Sequence, residues 1–161
     1  MGIKDYLQKR RDEAELGHGI WRRNHDRFVR GLDRFHQILE RMPSADMIDV
    51  MVPAANSLAD LLPRVRAIAE EAQQLAPSDG TDIPYSTQGT YSDLNRALSK
   101  AGNSVALCAE ALAMLRCSGE CAAACAGKIS VERRVATVEE HIVRAEELIV
   151  QAREEAAQKA S

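Results

Sequence analysis

The sequence has few aromatic residues and no long apolar run. Aromatic residues make up 4% of its 161 residues, and no stretch approaches the roughly 20 consecutive apolar residues that a membrane-spanning helix needs. Residues 1–11 are highly charged and lack the apolar segment of a secretory signal. We therefore predict no membrane span and, by default, a cytoplasmic location, with export by a non-classical route as the alternative.

A large excess of charge of either sign is also missing. The chain has 21 Lys and Arg residues against 24 Asp and Glu, which gives a formal net charge of −3 at pH 7. Nucleic-acid binders generally carry a strong basic excess, so we expect no nucleic-acid partner. The sequence also lacks a Walker-type phosphate loop, a dinucleotide fingerprint and a nucleophile elbow. Enzymatic function is therefore the less favoured class.

What the sequence does contain favours helices. Alanine, leucine, glutamate and arginine lose little rotamer freedom in a helix, and apolar residues recur at alternating steps of four and three, as in a heptad. In the first predicted helix this apolar seam consists of Trp21, His25, Phe28, Leu32, Phe35, Leu39 and Met42. The pattern predicts one all-α domain over residues 1–161, a four-helix bundle built from two long helical hairpins.

The boundaries of the predicted helices follow from capping and turn-forming residues. The four helices are predicted at residues 3–42, 45–75, 91–116 and 130–157. Ser44 and Ser130 are the expected N-caps of the second and fourth helices. Residues 77–90 are rich in Pro, Gly, Ser and Asp, which favour turns, and form the predicted linker between the hairpins.

Helix-breaking residues lie inside two of the predicted helices. Residues 17–19 read Gly-His-Gly, which predicts a break or a kink in the first helix. Pro53 and Pro63 lie inside the second helix, where each removes a backbone donor. Kinks at the two prolines and a division into two shorter helices are the alternatives there.

Three cysteines before the fourth helix are spaced by four residues. They are Cys117, Cys121 and Cys125. In a helix this spacing would place three thiols on one face, where they could bind Cu(I) or Zn(II) or change redox state. The competing interpretation is apolar packing, as expected for Cys108, and Gly119 interrupts the helix that would align the thiols. No cofactor is therefore predicted, with Cu(I) or Zn(II) as the alternative.

The first predicted helix carries five arginines on the face opposite its apolar seam. They are Arg23, Arg27, Arg30, Arg34 and Arg41. A row of guanidinium groups could bind an acidic protein, phosphate or an anionic lipid surface. The competing interpretation is a solvated helix face stabilised by pairs such as Asp26 with Arg30. The fourth helix has an acidic outer face formed by Glu140, Glu147 and Glu154.

The favoured hypothesis is a non-enzymatic bundle that acts through its surfaces, as a scaffold, an adaptor or a subunit of an assembly. A protein partner or self-association is expected, since the third predicted helix is alanine-rich and poor in charge. The second hypothesis is a thiol-based metal-binding or redox protein. A third is a protein that holds a small apolar ligand near Trp21 and Phe28.

Overall fold

A computed structural model describes residues 2–115 and 125–161, and it confirms the all-α class. The helices are α1 (Ile3–Leu16), α2 (Ile20–Glu40), α3 (Ala45–Leu75), α4 (Thr90–Ala113) and α5 (Ala126–Ala160). Over these described ranges no residue is in a strand, and no helix is long and apolar enough to cross a membrane.

The predicted break at residues 17–19 is real and divides the first predicted helix into α1 and α2. Gly17 has a φ of +69°, in the left-handed region that glycine reaches without the steric cost of a Cβ atom. Its N–H donates to the carbonyl oxygen of Glu13 at 3.1 Å, which ends α1. The apolar seam is confirmed in α2, since the six seam residues between Trp21 and Leu39 are all buried.

α3 continues through both of its prolines, so the prediction of two shorter helices is wrong. Pro53 and Pro63 are exposed, while the apolar face before, between and after them is buried. Burial of this continuous face stabilises the helix and offsets the hydrogen bonds that the prolines remove. At its start, the predicted cap is confirmed because Ser44 Oγ accepts from the Met47 N–H at 3.3 Å.

α5 begins earlier than predicted, at Ala126, and Ser130 is not its N-cap. Cys125 takes the cap position, and Ser130 lies exposed inside the helix. The additional turn is accommodated because it carries a glycine. A Cβ atom at Gly127 would lie 3.1 Å from Leu115 Cγ, so the small residue allows α5 to approach the end of α4 closely.

The helix contacts arrange α2 and α5 on either side of α3 and α4. α2 packs extensively against α3 and α4, and α5 packs extensively against the same two helices. Arg64 pairs with Glu139, and Arg153 with Glu71, so α3 and α5 run in the same direction. The consecutive helices α2 and α3, and α4 and α5, are in contact, as the hairpin prediction requires.

Arg66 of α3 ties α1 to the rest of the bundle. Its guanidinium donates to Asp12 at 2.8 Å, to Glu15 at 2.7 Å and to Glu70 at 2.9 Å. Hydrogen bonds from Arg66 and Arg11 lower the pKa of Glu15 to about 2. Burial alone would raise the pKa of Asp12, but its hydrogen bonds and the positive charge of Arg66 lower it overall.

Replacing Arg66 with methionine is expected to release α1 from the bundle. Amide exchange in α1 should accelerate by about tenfold or more, because three carboxylates lose the cation that they share. Arg11→Met is the matched control, since Arg11 pairs with Glu15 only within α1. Hydrogen exchange followed by mass spectrometry checks this, and equal acceleration in both variants would contradict it.

The same contact should weaken in acid. A carboxylate with a depressed folded-state pKa stabilises the folded form above its ordinary pKa and loses that effect as it is protonated. For Glu15 this window runs from its ordinary value of 4.5 down to about 2. Burial raises the pKa of Glu70, which therefore contributes in the opposite sense. The opening of α1, measured as amide exchange corrected for the intrinsic exchange rate at each pH, should become more frequent in the unmodified protein as the pH falls through this window, and should change less in Arg66→Met.

Candidate interaction surface

The five predicted arginines form one exposed row on α2, termed here the arginine surface. It consists of Arg23, Arg27, Arg30, Arg34 and Arg41, all of them exposed, with Arg41 at the C-cap that follows α2. The row lies opposite the buried seam because its positions are about half a turn of the helix away from those of the seam. From its first to its last member the row extends about 27 Å along the helix.

The arginine surface has no carboxylate partner within the described part of the chain. None of its five side chains comes within 4.0 Å of an Asp or Glu oxygen there. The predicted pair of Asp26 with Arg30 is wrong. Asp26 instead lies 3.0 Å from Arg22 Nε and 3.0 Å from the ring of the buried His25. Arg22 and Arg30 are both four residues from Asp26, and the half-buried Arg22 on the bundle side takes the contact.

Close packing of α2 against α4 positions this surface. A Cβ atom at Gly102 of α4 would lie 2.9 Å from Cδ of Arg27, so the stem of Arg27 rests on the glycine. At Gly31 of α2, an added Cβ atom would lie 2.8 Å from Val105 Cγ1. The two glycines thus let the helices approach closely, and the stem of Arg27 lies against α4.

A buried polar contact that was not predicted sets the register of the same two helices. Asn24 Nδ2 donates to Asn95 Oδ1 at 2.8 Å, and Ser99 Oγ donates to Asn24 Oδ1 at 3.0 Å. Asn24 is 5% exposed, so loss of either partner would leave a buried amide group unsatisfied. The sequence did contain a signal for this contact. Asn24 is three residues after Trp21, a spacing that places it beside the buried face of the helix.

α5 carries an exposed face of the opposite charge, which is called the acidic surface. It comprises Glu140, Glu147 and Glu154 together with the apolar residues Ile129, Ala136, Val143 and Val150, all exposed. The neighbouring Glu139 and Glu146 instead bind Arg64 of α3 and so belong to the bundle. The four apolar residues are seven residues apart, and this second, exposed heptad row was a signal that the prediction missed.

The cysteine prediction is tested only in part of the chain. Cys117 and Cys121 lie outside the described residues. Cys125 is buried at the start of α5 and belongs to the hydrophobic core. Within residues 2–115 and 125–161, no group of three or more His, Cys, Asp or Glu side chains is arranged to hold a metal ion. Metal binding by the three cysteines therefore stays a prediction.

Cys108 is a packing residue, as predicted. It is fully buried, and burial raises the pKa of its thiol from 9.0 to about 12, although the charge of Arg134 acts in the opposite direction. Since the thiolate is the reactive form, Cys108 should not react with thiol reagents at pH 8 while the protein is folded.

A thiol count checks this expectation directly. Cys108→Ala should show the same number of rapidly labelled thiols as the unmodified protein at pH 8. After denaturation it should show one fewer. A lower count in the folded variant would mean that the thiol of Cys108 is accessible and ionised, contrary to the expectation.

The regions around the two large rings are packed. Trp21 and Phe28 are 0% and 1% exposed, and Trp21 makes an edge-on contact with Tyr91 at 6.3 Å between ring centroids. An open groove of about 930 Å³ lies elsewhere, between the linker and the end of α5. It is lined in part by Leu75, Tyr85 and Tyr91. Its described lining includes no His or Cys side chain.

No protein-family model matches the chain, and neither a curated protein nor a solved structure matches it.

Proposed function

We propose that this chain is a non-enzymatic helical bundle that functions by binding an acidic protein surface through its arginine surface. The observation that carries the proposal is the row of five exposed arginines without a carboxylate partner in the described residues. Arginine favours such contacts because its planar guanidinium group binds carboxylates through two parallel hydrogen bonds.

The number of arginines matters more than any single one. An exposed ion pair contributes only about 0.2–1 kcal/mol, which is too little to hold two proteins together. Five pairs formed on one rigid helix act together and could contribute a few kcal/mol, since the helix already fixes their spacing. The other arginines that contact carboxylates, such as Arg64 and Arg66, already have partners within the chain. They are accordingly less available for a second protein.

The distribution of charge favours a protein over a phosphate polymer or a lipid surface. Asp26, Asp33 and Glu40 form a second row, seven residues apart, beside the arginines. A continuous polyanion laid on α2 would bring its charges against these carboxylates, which is unfavourable. A protein face can place separate carboxylates opposite the arginines alone.

A peptide-binding experiment tests the proposal. A labelled alanine-rich helical peptide with Glu at every seventh position, termed the acidic peptide, is titrated with the protein at about 0.05 M salt, where surface charges are weakly screened. The test variant carries Arg→Gln at all five positions of the arginine surface. The control carries the same number of Arg→Gln changes elsewhere, at Arg10, Arg11, Arg96, Arg133 and Arg144.

The test variant should bind the acidic peptide at least about tenfold more weakly than the control. Equal weakening in both would mean that only net charge matters and would refute the proposal. Tighter binding of duplex DNA or of anionic lipid vesicles, lost in the same test variant, would replace the acidic protein with that partner.

A further inference from the structure

The arginine surface and the acidic surface have the same repeat. Arg27 and Arg34 of α2 and Arg41 at its C-cap are seven residues apart, and Glu140, Glu147 and Glu154 are seven residues apart on α5. Seven residues of α-helix advance about 10.5 Å. Two such helices laid side by side can therefore form three arginine–glutamate pairs at once, without a change in the backbone of either helix.

The acidic surface also offers apolar area beside its glutamates. Ile129, Val143 and Val150 are 40%, 41% and 42% exposed, and Val143 and Val150 lie on a neighbouring row, each three residues after a glutamate. Arginine side chains have long apolar stems that can cover such residues while their guanidinium groups reach a carboxylate. The acidic surface thus fits an arginine-bearing helix better than it fits free cations.

Glu140 and Glu154 have no ion-pair partner in the described residues, and Glu147 has only the exposed Arg144, at 3.4 Å. An exposed pair between residues three apart contributes little and exchanges readily. Both surfaces are therefore available, and each presents the charge that the other lacks.

The two surfaces cannot pair within one molecule. α2 and α5 both pack against α3 and α4, and each surface lies on the side of its helix opposite the buried seam. The arginine surface and the acidic surface consequently face away from each other on opposite sides of the bundle. Complementary patches on different sides of one subunit produce head-to-tail contacts, which extend into open chains unless a rotation closes a ring.

We infer that the partner of the arginine surface is the acidic surface of a second copy of this chain, so that copies associate head to tail. This inference rests on the proposed function and supplies its partner. α2 of one copy lies along α5 of the next, with Arg27, Arg34 and Arg41 opposite Glu140, Glu147 and Glu154.

A charge-exchange experiment tests the inference with two variants of the full chain. The first carries Arg→Glu at residues 27, 34 and 41, and the second carries Glu→Arg at residues 140, 147 and 154. In each variant alone, both surfaces have the same sign, so head-to-tail contacts bring like charges together. In an equimolar mixture every contact between the two variants joins opposite charges.

Sedimentation velocity should show monomers for each variant alone and larger species for the mixture, as for the unmodified protein. Circular dichroism confirms that each variant is folded, and assembly of the mixture shows that both remain competent. The association constant of the mixture should exceed that of either variant alone by at least about tenfold.

Three results would overturn the inference. If the mixture stays monomeric while the unmodified protein assembles, the two surfaces are not partners. If both variants assemble alone and lose assembly only with Ile3→Ser and Leu7→Ser, the contact belongs to the exposed apolar side chains of α1. Binding of the acidic peptide by a protein that never self-associates would retain the proposed function and reject only this partner.

Discussion

Replacing Gly19 with alanine should destabilise the fold by about 3 kcal/mol or more. A Cβ atom at this position would overlap the carbonyl group and the hydroxyl of Ser78. Ser78 cannot move away freely, since its Oγ accepts from the Ile20 N–H at 3.1 Å and its own N–H donates to Gln73 Oε1 at 3.1 Å. Relief of the overlap therefore requires loss of the contact between the linker and the start of α2.

Gly80→Ala is the matched control for this change. Gly80 lies in the same linker, and a Cβ atom there would meet no atom within 4 Å. Chemical denaturation of both variants gives their free energies of unfolding. Gly80→Ala should lie within about 0.5 kcal/mol of the unmodified protein. A similarly small effect of Gly19→Ala would show that the linker yields easily and that the close contact with Ser78 is unimportant.

Trp21→Ala should lower the free energy of unfolding by about 3–5 kcal/mol. The ring is 0% exposed, so its removal leaves a large cavity beside Tyr91. Its Nε1 donates to the Ala76 carbonyl oxygen at 2.8 Å in a buried contact. The substitution would therefore also leave a buried backbone acceptor without its donor, which adds to the cost of the cavity.

Trp21→Phe separates the two contributions. It retains most of the apolar ring and removes the N–H donor, so it should cost about 1–3 kcal/mol. Tyr85→Ala serves as the control because Tyr85 is 86% exposed, and its effect should be close to zero. If Trp21→Phe were neutral, the hydrogen bond to the linker would contribute nothing and only the packing of the ring would matter.

These two predictions concern one junction, where the break between α1 and α2 meets the first residues of the linker. The break was predictable because Gly17 and Gly19 are both glycines, and glycine is unfavourable inside any helix. The contact with Ser78 was not, since the two residues are far apart in the sequence. Periodicity identifies which face of a helix is buried, but it does not identify what lies against that face.

The same limit explains the errors in the helix boundaries. Ser130 has the side chain of a good N-cap, yet α5 starts earlier because Gly127 lets it lie against Leu115. Pro53 removes a hydrogen bond in any helix, yet α3 continues through it because its neighbours on the buried face are packed. In both cases tertiary contacts override a local preference that was assessed correctly.

The position of the arginine surface was predictable from the sequence, but its lack of carboxylate partners was not. The spacing of the five arginines placed them on the outer face of α2, where they are all exposed. Spacing alone does not show which arginine pairs with Asp26, because Arg22 and Arg30 are each four residues away from it. The structure gives that contact to Arg22, which leaves Arg30 available with the rest of the row.

The most direct test of the account is the mass of the unmodified protein in solution as a function of concentration and salt. At about 0.05 M salt the weight-average mass should rise steadily with concentration, and at about 0.5 M salt it should fall towards that of the monomer, since exposed charge pairs are then screened. A protein that stays monomeric at high concentration in low salt would contradict association through the arginine and acidic surfaces. Assembly unaffected by salt would contradict it as well.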